Sequence, residues 1–222
     1  MSSRQPLLQL TWRGATARDE DAVRAAAGMF RQCHCARLPS LLDPALLTSL
    51  QDQIDRGAFF TKRHGTAATE LCLEPDAAVA LLHFLVNDPA LYRLVEDVTG
   101  CGTVRCFFGR VYRHVPGTDH HHAWHSDVTH NRVIGMSINL GRDAYEGGIF
   151  EIRERDEPST VAAIANIVPG DTILFRLSEA LEHRVTTLHG TASKTAFAGW
   201  FRREPDYWQA CRVPARDGQD SA

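Results

Sequence analysis

The chain has 222 residues, 44% of them apolar and 23% charged, with a formal net charge of −3. That length is enough for one domain with a sizeable core, and the slight negative charge gives no electrostatic footprint for nucleic acid. No apolar run is long enough to span a bilayer, and the opening "MSSRQPLLQLTWRG" lacks a secretory pattern, so no membrane partner is expected. The six cysteines are too sparse for a disulfide scaffold and point to a reducing cytoplasm.

In chain order, "ARDEDAVRAAAGMFRQ" (17–32) has early acids and internal alanines and predicts a helix. "CHCARLP" predicts a short strand in which His34 faces away from Cys33 and Cys35, two ordinary buried thiols. "LLDPALLTSLQDQIDRG" predicts a second helix, with Asp43 as N-cap, Pro44 at its first position and Gly57 at its stop. "PDAAVALLHFLV" and "DPALYRLVEDVTG" predict two more. Before them, "FFTKRHGTAATELCLEP" (59–75) is polar and irregular, and reads as a loop that either connects or covers a site.

From residue 103 the pattern changes to short alternating or apolar runs: "TVRCFFGRVYRHV", "VIGMSINL", "GGIFEIRER", "VAAIANIV", "DTILFRL", "HRVTTLH" and "KTAFAGWFRR". Turn residues separate them at "VPGTD", "GRDAYEGG" and "VPGD", and the glycine pair 147–148 allows a sharp turn. This is a mainly β, α+β chain, a sandwich or barrel preceded by helices. It is expected to be one domain, with a support region over 1–102, a β core over 103–204 and a flexible tail over 211–222.

The chemistry gathers around "AWHSDVTHNR" (123–132). In a strand His125 and Asp127 share a face, and His183 in "EALEHRVTTL" is the natural third ligand from a neighbouring strand. Two histidines and one carboxylate leave three positions of a metal open, the arrangement of non-haem Fe(II) oxygenases.

Residues 105–202 resemble the prolyl-4-hydroxylase-like group of Fe(II)/2-oxoglutarate dioxygenases. "RHVPG" stands where that group has a strand ending in a tyrosine-x-x-glycine turn, followed by "WHSD", "VIGMSINL", "EGGIFEI" and "PGDTILF". The distal histidine comes next, then Lys194, six residues before Trp200 in "KTAFAGWF". A weaker likeness covers "CARLPSLLDPALLTSLQDQI".

The resemblance implies a double-stranded β-helix, a cupin-like jelly roll, with the helices packed on one sheet. It implies His125, Asp127 and His183 as iron ligands and Lys194 as the cation for the far carboxylate of 2-oxoglutarate. Trp200 joins Lys194 in the cosubstrate corner. His114 replaces the group's strand tyrosine, and Tyr112 on the same face can stand in for it. The implied cofactors are Fe(II), 2-oxoglutarate and O2, with ascorbate as a reductant. The implied reaction is hydroxylation of an unactivated C–H bond with release of succinate and CO2. Asp127 argues for hydroxylation, because related halogenases lack this carboxylate. The expected substrate is a small molecule or short peptide: an amino acid, a peptide or a natural-product intermediate. The alternatives are a cupin-like metal-binding protein, or a metal-dependent hydrolase or isomerase that does not use 2-oxoglutarate.

Other residues have two readings. His120, His121 and His122 are solvated or shape the pocket mouth, while His130 and His189 lack the spacing to join the triad. Trp124 walls the pocket or sits in the core. Asn139 orients a ligand or closes a turn. Arg132 and Arg184 hold a substrate carboxylate or lie on the surface.

Overall fold

Four helices open on an aspartate whose carboxylate accepts from backbone N–H groups of the first turn. These are α1 (Glu20–Cys33, cap Asp19), α2 (Pro44–Arg56, cap Asp43), α3 (Ala77–Val86, cap Asp76) and α4 (Pro89–Thr99, cap Asp88). The structure is a computed structural model that describes residues 6–16, 19–129, 131–165 and 168–212. Helix α1 runs through Cys33 and ends on His34 in the left-handed region (φ 58°), so the next strand, β3 (Cys35–Leu38), starts two residues later than "CHCARLP" predicts. The alternation expected of Cys33, His34 and Cys35 therefore does not arise.

A short hairpin, β1 (Leu10–Thr11) with β2 (Gly14–Ala15), precedes α1. The stretch 59–75 corrects the loop expectation. It is a hairpin of β4 (Phe59–His64) and β5 (Ala68–Leu73), paired antiparallel. Strand β5 is buried because it is sandwiched in the sheet, which its polar letters Thr69 and Glu70 conceal.

The β half supplies β6 (Cys106–His114), β7 (His121–His125), β8 (Arg132–Asn139), β9 (Glu146–Gly147) and β10 (Phe150–Glu154). It continues with β11 (Thr160–Ile164), β12 (Thr172–Arg176), β13 (Leu181–Val185), β14 (Leu188–His189) and β15 (Lys194–Arg202). A last helix, α5 (Tyr207–Arg212), covers the start of the tail expected from residue 211; residues 213–222 lie outside the described residues.

The large sheet runs β11-β10-β13-β7-β5-β6-β15-β8-β12-β3, all antiparallel, with β4 added beside β5. Its order winds into a near-closed jelly roll, as expected. The two-residue strands β9 and β14 pair separately and use Gly147 at φ 73°.

Alternation splits the long strands into two faces. Phe107 and Val111 of β6, Phe197 and Phe201 of β15, and Ile134 and Ile138 of β8 are buried in one cluster with the side chains of α1 to α4. The helices thus pack on one sheet. The opposite faces of the same strands turn inward on a second, smaller cluster that includes Phe150, Ile152, Ile173 and Phe175.

Gly135 in β8 makes that inner packing possible. A Cβ there would lie 2.1 Å from the ring of Phe175. Gly135→Ala should therefore cost about 1–3 kcal/mol of unfolding free energy in urea titrations. Combined with Phe175→Leu, the double variant should be less destabilised than the sum of the singles.

Candidate metal centre and its cavity

His125 closes β7 and pairs in register with His183 of β13. Asp127 lies two residues past the end of β7, in irregular backbone rather than in the strand. Its Oδ2 is 3.7 Å from His125 Nε2 and 3.4 Å from His183 Nε2, and the two imidazole centroids are 4.4 Å apart. All three donor atoms lie within 4.8 Å of one another.

His125 Nδ1 meets the Ala123 carbonyl at 2.7 Å. That contact makes Nδ1 the donor and leaves the Nε2 lone pair turned to the cluster. Burial raises the Asp127 pKa, but the two imidazoles beside it, His125 and His183, outweigh it and hold the carboxyl well below its ordinary range. Burial also pushes His183 down, toward the neutral form that a metal needs. Burial lowers the His125 pKa too, but Asp127 and the Ala123 carbonyl outweigh it and raise it, so a metal there displaces a proton. One oxygen and two nitrogens in this arrangement fit a divalent ion such as Fe(II).

Trp200 completes this side. Its Nε1 donates to Asp127 Oδ2 at 2.8 Å, and the Arg132 guanidinium lies 3.6 Å over its ring. Arg132 also reaches Asp127, with Nη1 3.3 Å from the backbone carbonyl and 3.9 Å from Oδ1.

The cluster opens on a cavity of about 230 Å³ with Lys194, Tyr112, Arg110, Ser137 and Phe175 among its walls. Lys194 is 2% exposed and pairs in register with His114. Its Nζ donates to the Gly148 carbonyl at 2.8 Å and lies 5.4 Å from the centre of the Tyr145 ring, with no carboxylate in reach among the described residues. Burial alone lowers its pKa from 10.5 to about 7. Beside it, His114 Nε2 is buried without a hydrogen-bond partner, and Tyr112 hydrogen-bonds Ser137. A buried cation without an anion, next to an unpartnered donor, fits a carboxylate of 2-oxoglutarate.

The remaining predicted residues separate. Trp124 does not line the cavity; it lies between Arg153 and Arg184, at 4.2 and 4.6 Å. Arg184 pairs with Glu151 there. Asn139 Oδ1 accepts from Gly141 N–H, which closes a turn. His189 is exposed on β14, and His130 lies outside the described residues.

His122 departs from its neighbours His120 and His121. A bulge sets Val185 opposite His122 and His183 opposite His125, so two steps along β13 span three along β7. Both His122 and His125 thereby line the cavity, which regular alternation forbids.

His122 belongs to a network that sequence reading missed. Glu70 of β5 is wholly buried, and its carboxylate takes His122 Nε2 at 2.9 Å, His64 Nε2 at 3.0 Å and Arg110 Nε. Burial raises the Glu70 pKa, but His122 and Arg110 prevail and keep it ionised. The available signal was Arg110, which shares a strand face with Tyr112 and His114. Glu70→Leu should cost on the order of 3 kcal/mol in urea unfolding at pH 7, because it leaves Arg110 and two histidines facing apolar surface.

A jelly roll that brings two histidines and one carboxylate together on the wall of a cavity shared with a buried lysine is arranged to hold a single metal ion. Residues 109–202 match the family model of the 2OG-Fe(II) oxygenase superfamily. The fold is similar to an oxidoreductase of the 2OG-Fe(II) oxygenase family from Burkholderia pseudomallei (18% identity, 86% of this chain and 95% of that one, TM-score 0.63). It is also similar to a prolyl-4-hydroxylase from Pseudomonas putida (18% identity, 82% and 100%, TM-score 0.63). A third likeness is to a prolyl hydroxylase from Trichoplax adhaerens, solved with a peptide fragment of a hypoxia inducible factor oxygen degradation domain (15% identity, 87% and 94%, TM-score 0.64). No curated protein matches the chain. The match over 109–202 spans the stretch that carries His125, Asp127, His183 and Lys194, and the superfamily it describes uses Fe(II), 2-oxoglutarate and O2.

Proposed function

We propose that the protein hydroxylates an unactivated C–H bond of an amino acid, a short peptide or a natural-product intermediate. His125, Asp127 and His183 hold the metal, and Lys194 holds the far carboxylate of 2-oxoglutarate. The observation that carries this reading is the pairing of the triad with an anion-free buried lysine on the walls of one cavity. When bound, iron and 2-oxoglutarate supply the oxidising power, with succinate and CO2 as coproducts.

The protein's own contribution is placement. His125 offers Nε2 because the Ala123 carbonyl occupies its Nδ1. Trp200 and Arg132 steady Asp127. His114 offers a second contact beside Lys194, in place of the tyrosine expected there. Phe150 and Phe175 pack their rings against His183, with centroids at 5.9 and 4.6 Å, and Ile173 adds to the apolar wall of the cavity. Six free thiols fit a reducing compartment such as the cytoplasm. The peptide held by the Trichoplax adhaerens structure supports keeping peptides among the candidate substrates.

Purified protein with Fe(II), ascorbate and 2-oxoglutarate should release succinate. Alanine at His125, Asp127 or His183 should abolish both that release and tight Fe(II) binding by equilibrium dialysis. Lys194→Ala should keep metal affinity but raise the 2-oxoglutarate KM more than about tenfold, since a buried charge-assisted contact is lost. Metal binding that survives all three ligand changes sinks the reading.

Lys194 also predicts a proton balance. Without an anion its pKa is about 7, so at pH 8 it is mostly neutral in the folded protein. A carboxylate beside it raises the pKa, so binding takes up a proton. Calorimetry at pH 8 in two buffers of different ionisation enthalpy should show uptake of most of one proton per 2-oxoglutarate. Lys194→Met should abolish that uptake.

A further inference from the structure

Arg110 is the cavity's remaining cation, used by neither the metal cluster nor the Lys194 corner. Strand alternation puts Arg110, Tyr112 and His114 on the inner face of β6, and the register sets Arg110 opposite Ala198 and His114 opposite Lys194. Four residues of strand, about 13 Å, separate the two cationic rows. The cavity therefore has a positive group at each end.

Arg110 is held rather than free to swing. Its Nε is committed to Glu70, which has no exposure and is gripped in turn by His64 and His122. Its terminal amino groups have no hydrogen-bond partner among the described residues, while its side chain keeps 23% of its surface open. The Trp200 ring lies 5.9 Å from the guanidinium carbon.

We infer that Arg110 receives a carboxylate of the substrate. The two unpaired amino groups form the fork that matches a carboxylate bidentately. This inference rests on the dioxygenase reading and narrows its substrate class to molecules with a free carboxylate, such as an amino acid or a peptide C-terminus. Charge supports it. Glu70 balances Arg110, Asp127 balances Arg132, and Lys194 remains as surplus. Fe(II) and dianionic 2-oxoglutarate cancel each other, so the loaded site stays one charge positive until an anion arrives. An internal residue of a peptide chain brings none.

The test uses full-length protein with Fe(II) and saturating 2-oxoglutarate under nitrogen, so that binding is read without turnover. Thermal unfolding is followed with acetate, benzoate, the free L-amino acids and tripeptides with a free C-terminus, each against its primary amide. At least one acid should bind about tenfold or more tightly than its amide. That preference should collapse in Arg110→Gln. It should collapse equally in the pair Glu70→Gln with Arg110→Gln, which leaves no buried carboxylate unpaired if the single variant folds poorly. The 2-oxoglutarate Kd, measured separately, should change little in either. The amino-acid and tripeptide arms distinguish a free metabolite from a chain terminus. No preference for acids over amides in the wild type overturns the inference, as does a preference that survives both variants. A tenfold weaker 2-oxoglutarate Kd in the variants assigns Arg110 to the cosubstrate instead. A wild type that binds no 2-oxoglutarate overturns the dioxygenase reading first.

Discussion

The antiparallel register between β6 and β15 runs from Lys194 opposite His114 to Arg202 opposite Cys106. One side of this ladder carries Phe107, Val111, Phe197 and Phe201, all without exposure. Each such side chain contributes about 1.5–3 kcal/mol by leaving water. The other side carries Arg110, Tyr112, His114, Lys194, Ala198 and Trp200. A slip of one residue would bring the phenylalanines into the cavity and drive Lys194 into the helix layer. Packing of the helices on the outer face thus decides where the inner cations stand. Gly109 and Gly199 face each other in the same ladder, where a Cβ on Gly199 would meet the Phe108 carbonyl at 2.0 Å. The strands approach closely there because neither residue has a side chain.

Two carboxylates, the buried Glu70 and the half-buried Asp127, organise the inner surface, and each has two histidines beside it. Glu70, His114 and His122 bring donor atoms within 4.8 Å, as His125, Asp127 and His183 do. The geometry alone does not separate them; the third partner does. Arg110 already places a full positive charge on Glu70, so a divalent ion there would meet like charge at contact distance. Asp127 instead takes a neutral indole N–H from Trp200, and its cation, Arg132, stays 3.9 Å off on the other oxygen. Its Oδ2 keeps both histidines at distances longer than an ordinary hydrogen bond, 3.4 and 3.7 Å. One carboxylate is closed by guanidinium, and the other is left open toward its histidines.

The legibility of these features in the sequence follows their range. Helix caps were readable because Asp43, Pro44 and Asp88 act on their own first turns. The triad and Lys194 were readable because a family pattern carries their spacing, whatever the intervening loops do. Strand β5 was not, since its burial comes from β6 and β7, which follow it by more than thirty residues; locally, "TKRHGTAATE" has the letters of a loop. His122 was missed for another reason. Alternation puts it opposite His125, and only the bulge against β13 turns both inward. Arg110 passed unnoticed because its meaning depends on Glu70, a partner forty positions away.

The same dependence explains how the cavity can be polar at both ends without collapsing. Its middle is lined by Ala198, Gly199 and Ser137 on one side and by Phe150, Ile173 and Phe175 on the other. The small residues leave room, and the bulky apolar ones line the facing wall. A cavity of about 230 Å³ falls below the roughly 300–1,000 Å³ of most ligand pockets. On the proposed reading, 2-oxoglutarate would take the Lys194 side of this volume and leave a small remainder beside Arg110. A substrate anchored at Arg110 would then be oxidised within a few bonds of its anionic end. The rigid Glu70 network, rather than a recognition domain, would set which carbon that is.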